Sequence, residues 1–424
     1  MNILLLGSGG REHAFARQIS LSKHCQNLFI APGNPGTAAF GQNVPLSATD
    51  FAGIRQFVLS HDISMVIVGP EAPLVEGVYD YFVNDAELKN IPVIGPSRQG
   101  AMLEGSKAFS KAFMVRHHIP TAAYGEFTGE NVEEGLAYIA AQTPPVVLKA
   151  DGLAAGKGVL ICTSIEEAQQ EFREMLDGKF GQAGARVVIE EFMSGIEFSV
   201  FVLTDGKNYQ VLPVAKDYKR IGEGDSGLNT GGMGAVSPPP FVSEAIMDRV
   251  SKEVIETTIA GLAQDGIVYK GFIYIGLMNT PGDVPKVVEY NCRMGDPETQ
   301  AVLPRITSDF LELMQHVANG TLDQAALNIS PEAAVTVILA SQGYPGDFEK
   351  GKKITGLENI KDSLVFHAGT EIKDGNLVTS GGRVLAITSL HTDWLQALDN
   401  SNEAAALVEY EGKYYRKDIG FDLK

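Results

Sequence analysis

The chain is 424 residues long, enough for about three domains at ~150 residues each. Apolar content of 44% and charged content of 20% are those of an ordinary globular protein, and a net charge of −18 argues against the basic surface that nucleic acid needs. No apolar run approaches the ~18 residues of a membrane helix. Cys25, Cys162 and Cys292 are far apart and show no metal spacing. With a strand entered at Asn2 and no basic leader, a reducing, cytoplasmic setting is expected.

Strand and helix then alternate. Ile3–Leu6 reads as a short apolar strand, Gly7–Gly10 as a turn, Arg11–Ser22 as a helix and Asn27–Ala31 as a second strand. Ser64–Val68 and Ile91–Ile94 are further strands, each followed by Gly-Pro. This alternation predicts a parallel sheet that takes ligands at its strand C-termini. A dinucleotide fingerprint does not fit, because its third glycine would fall at Glu12 and Pro32-Gly33-Asn34 stands where a ribose-binding acid is needed. A glycine turn ahead of a helix still suits a phosphate. Gly9, Gly10, Asn34 and Glu71, on three converging loops, are therefore candidate substrate contacts, although tight structural turns would look the same. His13, inside the first helix, reads as a packed structural residue.

Val146–Ala150 is a strand carrying Lys149, followed by the glycine-rich run Asp151–Gly158 and a strand at Val159–Cys162. The spacing is one residue short of a Walker A loop, and a strand rather than a helix follows. The segment therefore predicts a hairpin flap with Lys149 fixed on the sheet and Lys157 at its tip, two ammonium groups suited to phosphates. Strand Arg186–Phe192 ends in Glu190-Glu191 and leads into Ile196–Leu203, where Glu197 could reach a ribose. Lys216–Val236 is rich in glycine and matches no regular element; a loop this long is usually functional, with Asp217, Lys219 and Arg220 as its charged candidates. On strand Lys286–Asn291, Glu289, Asn291 and Arg293 fall on one side. A carboxylate beside a neutral oxygen suits Mg²⁺, and Gly295–Glu298 makes a turn with two more carboxylates; a solvated strand end would show the same pattern. From about residue 327 the texture changes, with strands at Ala334–Ser341 and Arg383–Ser389, which predicts a separate small α+β domain.

In this order the motifs resemble the ATP-grasp ligases, and among them the phosphoribosylamine–glycine ligase family. The resemblance is carried by Gly7–Ala14, Ala31–Thr37, Val68–Val75, Leu103–Lys111, Lys149–Val159, Asn229–Ala235, Arg293–Gln300, Phe366–Thr370, Gly381–Leu385 and Arg416–Gly420. Arg293-Met-Gly-Asp-Pro-Glu is its most specific part; Met294 stands where the family usually has Phe or Leu, and strand Gly271–Met278 lacks a carboxylate that many grasp enzymes use for a second magnesium. The resemblance implies an α/β and α+β multidomain chain: an N-terminal parallel-sheet domain over 1–105, an ATP-grasp core over 106–122 and 193–326, a flap subdomain over 123–192 and a C-terminal α+β domain over 327–424. It implies that Lys149, Lys157, Glu190, Glu191 and Glu197 contact ATP and that Glu289 and Asn291 hold Mg²⁺ or Mn²⁺. The N-terminal loops, with Lys219, Gly232, Arg293 and Asp296, would meet glycine and 5-phosphoribosylamine. Lys157 and Arg293 are its catalytic cations, and Asp217 and Asp296 its candidate proton acceptors. The implied activity is ATP-dependent joining of the two small molecules through glycyl phosphate, without nucleic acid or membrane partners, and the oligomeric state is left open, a monomer included.

Overall fold

Ile3–Leu6 is apolar at every position, the pattern of a strand covered on both faces. In the computed structural model, which describes residues 1–152 and 158–424, it forms the middle of a five-stranded parallel sheet. The strands are β1 (Asn2–Gly7), β2 (Asn27–Pro32), β3 (Gln42–Asn43), β4 (Met65–Val68) and β5 (Val93–Ile94), in the order β3-β2-β1-β4-β5. The order reverses at β1, so a crevice opens beyond the carboxyl ends of β1 and β4.

Glu12 fills part of that crevice. From the first turn of helix Gly10–Ser20, its Oε2 accepts a hydrogen bond from Gly9 N at 2.6 Å, and its Oε1 accepts one from Arg11 Nε at 2.7 Å. A Cβ on Gly7, where φ is +125°, would stand 2.4 Å from Glu12 Cγ, and one on Gly69 would stand 2.1 Å from Glu12 Oε1. His13, on the same helix, is buried and its Nδ1 accepts from His367 N at 2.7 Å, tying the helix to the C-terminal part of the chain. Burial and the neighbouring His367 lower its pKa to about 3, as befits a structural residue.

A smaller antiparallel sheet follows, in the spatial order Tyr124–Thr128, Arg186–Glu191, Val146–Ala150, Val159–Cys162. Phe127, Leu136, Ile139, Phe172 and Met175 give it a core of its own. The expected flap-tip Lys157 lies outside the described residues. The central sheet runs Tyr209–Val211, Ile196–Thr204, Gly271–Thr280, Val284–Asn291, all antiparallel. Side-chain alternation along Ile196–Thr204 sends Phe198, Val200 and Val202 into one core with Leu4 and Leu6, and Phe201 and Leu203 into another with Phe15 and Phe310.

The last sheet runs Lys216–Asp217, Gly234–Ser237, Ala333–Ser341, Arg383–His391, Leu364–His367, packed on helix Trp394–Leu407. Its first two strands correct the expectation that Lys216–Val236 holds no regular element. That segment also forms a hairpin between Arg220–Gly222 and Ser226–Asn229. These strands are two to four residues long, and Ser226–Asn229 is exposed throughout, so no apolar alternation marks them in the sequence. Among the described residues no helix is long and apolar enough to cross a membrane.

The tight fit around Glu12 gives a direct test. Gly7→Ala adds both a strained positive φ and a clash with a buried carboxylate, and is expected to cost about 1–3 kcal/mol. The urea midpoint of the variant measures this; an unchanged midpoint would show that Glu12 moves freely.

Candidate active site

The strand Val284–Asn291 carries a bulge: Glu289 faces Gly276 and Val287 faces Leu277, leaving Val288 as the extra residue. Tyr290 is buried at 2% exposure, and Val288, Glu289, Tyr290 and Asn291 all contribute to the wall of a cavity of about 410 Å³. The four larger sheets, or the turns leaving them, all contribute to its wall. Asn291 Nδ2 donates to Tyr290 O at 2.9 Å, and no hydrogen bond among the described residues uses its Oδ1. An amide oxygen beside the Glu289 carboxylate is an all-oxygen donor set, which fits Mg²⁺ or Mn²⁺.

Next to this strand lies a cluster of lysines. Lys149 Nζ stands 2.9 Å from Glu190 Oε1 and donates to Val288 O at 3.1 Å, joining the flap sheet to the Glu289 strand. Glu190 Oε2 lies 3.2 Å from Lys111 Nζ, and all three side chains are buried. Burial brings the Lys111 pKa down to about 8 against the pull of Glu190, and burial likewise lowers Lys107. Lys107 starts helix Lys107–Arg116, capped by the Ser106 hydroxyl, and its Nζ donates to Gly152 O at 3.0 Å. Spaced four residues apart, Lys107 and Lys111 share one helix face. Three ammonium groups around one space suit a polyphosphate.

A second group of charges comes from the glycine-rich segment. Lys219 Nζ pairs with Glu197 Oε2 at 2.7 Å and lies 3.7 Å from Asp217 Oδ1. Burial works against the Lys219 charge, but Asp217 and Glu197 outweigh it and hold the pKa well above the ordinary value. Burial raises Asp217, despite Lys219. Glu298, 3% exposed, is raised to about 7, first by burial and then by Asp217.

Arginines close the rest of the wall. Arg293 Nη2 donates to Glu104 Oε1 at 2.7 Å, and its Nε lies 3.5 Å from Glu71 Oε2. Glu104 Oε2 accepts from Cys292 N at 2.9 Å and from Cys292 Sγ at 3.1 Å. Arg11 Nη1 donates to Met294 O at 3.1 Å. From the C-terminal sheet, Arg383 Nη1 donates to Asp296 O at 2.7 Å and to Gly231 O at 2.6 Å. Burial would raise Asp296, but Arg383 and Arg11 bring it below the usual carboxylate range.

Of the residues singled out from the sequence, Glu71, Lys149, Glu190, Asp217, Lys219, Glu289, Asn291, Arg293 and Asp296 line the cavity. Gly9, Gly10, Asn34, Glu191, Glu197 and Gly232 are not in its wall. Asn34 Nδ2 is taken by Ser8 O and His367 O at 2.8 and 2.9 Å, and Glu191 Oε1 by Ala123 N at 3.1 Å. Gly10 packs against the Gln300 amide, and Gly232, at φ +113°, against the Pro297 ring. Sequence reading gave no individual role to Arg11, Glu104, Lys107, Lys111 or Arg383, and counted Glu298 only as a turn carboxylate. Lys107 and Lys111 did leave a signal, two lysines four apart behind a serine cap. For Glu104 and Arg383, in stretches that carry the resemblance, nothing local pointed to their partners, which lie 188 and 87 or more residues away.

A lysine-bearing flap sheet over an antiparallel sheet with an oxygen-rich strand end is an ATP-grasp architecture. Residues 105–299 match the model of the phosphoribosylglycinamide synthetase ATP-grasp (A) domain, 1–104 that of its N domain and 334–422 that of its C domain. The chain is 48% identical over 425 residues to the phosphoribosylamine–glycine ligase of Pasteurella multocida, covering 99% of this chain and 98% of the relative. It is 47% identical over 426 residues to that of Pseudomonas aeruginosa, with the same coverage. The crystal structure of phosphoribosylamine–glycine ligase from Thermotoga maritima superposes with a TM-score of 0.85 at 35% identity, over 99% of this chain and 100% of that one. Biotin carboxylase from Campylobacter jejuni shares the fold, with a TM-score of 0.73 at 15% identity over 99% and 94% of the two chains. The chain belongs to the phosphoribosylglycinamide synthetase family.

The buried Glu298 carboxyl gives a pH test. Unfolded, it ionises near the ordinary value of 4.5, whereas folded it holds its proton to about 7. The folded state thus binds more protons across that window, and stability from this group is lost as pH rises through it. Compared with Glu298→Gln, the wild-type urea midpoint is expected to fall progressively between these two values and to level off below the lower one. A difference independent of pH would contradict the burial of this carboxyl.

Proposed function

We propose that the protein joins glycine to 5-phosphoribosylamine at the expense of ATP, forming glycinamide ribonucleotide, ADP and phosphate through glycyl phosphate. The observation that carries this reading is the meeting, in one cavity, of Lys107, Lys111 and Lys149 with the Glu289–Asn291 pair and the Arg293–Asp296 loop. The names of the full-length relatives support the same substrates.

In the first step a glycine carboxylate oxygen attacks the γ-phosphorus and ADP leaves. Lys149 is pre-set for this by Glu190 and Val288 O, so its ammonium does not reorganise as charge moves to the β-phosphate. Lys107 and Lys111 share that load. Glu289 and Asn291 would hold Mg²⁺ or Mn²⁺, which when bound offsets phosphate charge during transfer. In the second step the amine of 5-phosphoribosylamine attacks the acyl carbon and phosphate leaves. Arg293, fixed by Glu104 and Glu71, faces the anionic substrates, and Asp217 or Asp296 accepts the proton the amine sheds. Asp217, with its pKa raised by burial, is the better matched of the two to a near-neutral proton. We further propose a cytoplasmic protein; its three cysteines are all free.

Glycine labelled with ¹⁸O in its carboxylate, supplied with ATP, Mg²⁺ and 5-phosphoribosylamine generated in the same vessel, tests the route. Labelled phosphate and one ADP per amide are expected. AMP with pyrophosphate, or unlabelled phosphate, would overturn the acyl-phosphate step, and turnover only with another carboxylate would overturn the named substrate.

A further inference from the structure

Along an extended segment, successive side chains face opposite ways. Asp217 and Lys219 face the cavity; Lys216 and Tyr218, between and beside them, face the C-terminal end of the chain. Lys216 Nζ lies 3.3 Å from Asp422 Oδ2 and 4.4 Å from the centre of the Tyr218 ring, whose hydroxyl donates to Asp422 Oδ1 at 2.7 Å. The C-terminal segment thus grips the back of the strand that presents Asp217 and Lys219 at its front.

Arg416 is the centre of that grip. Its side chain has 0% exposure, and it is no part of the cavity wall. Nε and Nη2 donate to the two oxygens of Asp418 at 2.8 and 2.9 Å, and Nη1 donates to Arg220 O at 3.1 Å and Asp225 Oδ1 at 2.8 Å. Asp418 Oδ2 also accepts from Gly224 N at 2.7 Å, and the Tyr414 hydroxyl donates to Ile221 O at 2.8 Å. Every one of these contacts from Arg220 to Asp225 falls on the hairpin Arg220–Asn229, whose second strand is exposed along its whole length. The hairpin begins one residue after Lys219 and ends two before Gly231, and both of those line the cavity.

We infer that Arg416 is a positioning residue for the ligation: by holding the hairpin Arg220–Asn229 it sets where Asp217, Lys219 and Gly231 stand in the cavity. The inference rests on the function proposed above. A planar guanidinium can serve these acceptors together, whereas an ammonium on a flexible stem keeps the charge but not the fork. Displacement of a catalytic loop by about 1 Å is enough to cost ~10²-fold in rate. The lysines around Glu190, proposed to hold the phosphates of the nucleotide, belong to other elements than the hairpin.

Arg416→Lys is the test, read against Leu398→Ala, which thins the C-terminal core without touching the hairpin. For Arg416→Lys, kcat/KM for glycine is expected to fall about 10- to 100-fold, with the Kd of a magnesium complex of a non-hydrolysable ATP analogue unchanged. Amide exchange over residues 216–232 should quicken at the same time. Leu398→Ala, at an equal loss of Tm, should keep both its kcat/KM and its slow exchange in that stretch. Equal losses in the two variants, or exchange unchanged in Arg416→Lys, would overturn the inference whatever the turnover of the wild type. Should Arg416→Lys not fold, Tyr414→Phe removes a single hydroxyl from the same grip and is expected to show the same pattern at about 2- to 10-fold; wild-type behaviour there would overturn it. A wild type that folds, exchanges slowly at 216–232 and yet does not ligate glycine would instead count against the proposed function alone.

Discussion

A carboxylate in the last turn of a helix faces the negative end of the helix dipole and is disfavoured there unless a cation or strong donors meet it. Glu104 occupies that place on helix Arg98–Gly105, almost wholly buried, and it is met from three sides: by Arg293 Nη2, by Cys292 N and by the Cys292 thiol. The contact fixes the chain just past the strand that presents Glu289 and Asn291. It also aims Arg293, whose Nε reaches Glu71 on the N-terminal side. Buried charge pairs of this kind add little over an apolar pair, but breaking one leaves a charge stranded at a cost of about 3–5 kcal/mol. Such a contact specifies an arrangement more than it stabilises a fold.

The same logic recurs around the cavity. Glu190 sits between Lys111 and Lys149, Glu12 between Gly9 and Arg11, and Arg383 reaches from the last sheet to Asp296 O and Gly231 O. The flap sheet has an apolar core of its own, the N-terminal and central sheets share two cores, and around the cavity the units are joined as well through hydrogen-bonded charges. The cavity is therefore complete only when all the units are in place, and its electrostatics follow from the joins. Burial lowers Lys111 to about 8 and raises Glu298 to about 7, so groups near neutrality face the space where phosphoryl and proton transfers are proposed.

Much of this was legible in the sequence wherever a pattern is local. The apolar runs in Ile3–Leu6 and Ser64–Val68 read as strands, and the hairpin Val146–Ala150 with Val159–Cys162 was readable to its end residues because a glycine run separates two apolar strands. The Glu289–Asn291 alternation was readable as well, although the bulge at Val288 was not, since a bulge is set by the partner strand. Lys216–Val236 misled because its strands are too short and too exposed to carry a period. Glu190 and Glu197, read as nucleotide contacts, are each paired with lysines in the structure, and no local pattern announces a partner from another element. Glu104, Arg383 and Arg416 lie in stretches that carry the resemblance, but their partners stayed invisible for the same reason: each acts on segments that only the fold brings near.

If the strand end works as described, Glu104 has to be charged as well as present. Glu104→Gln keeps the size of the side chain and an acceptor for Cys292 N but withdraws the charge facing Arg293. The account predicts that kcat/KM for the ligation falls by about 30-fold or more, the ~2–5 kcal/mol expected when one partner of a buried charge pair is removed, while the chain remains folded. Wild-type kcat/KM in Glu104→Gln would contradict it.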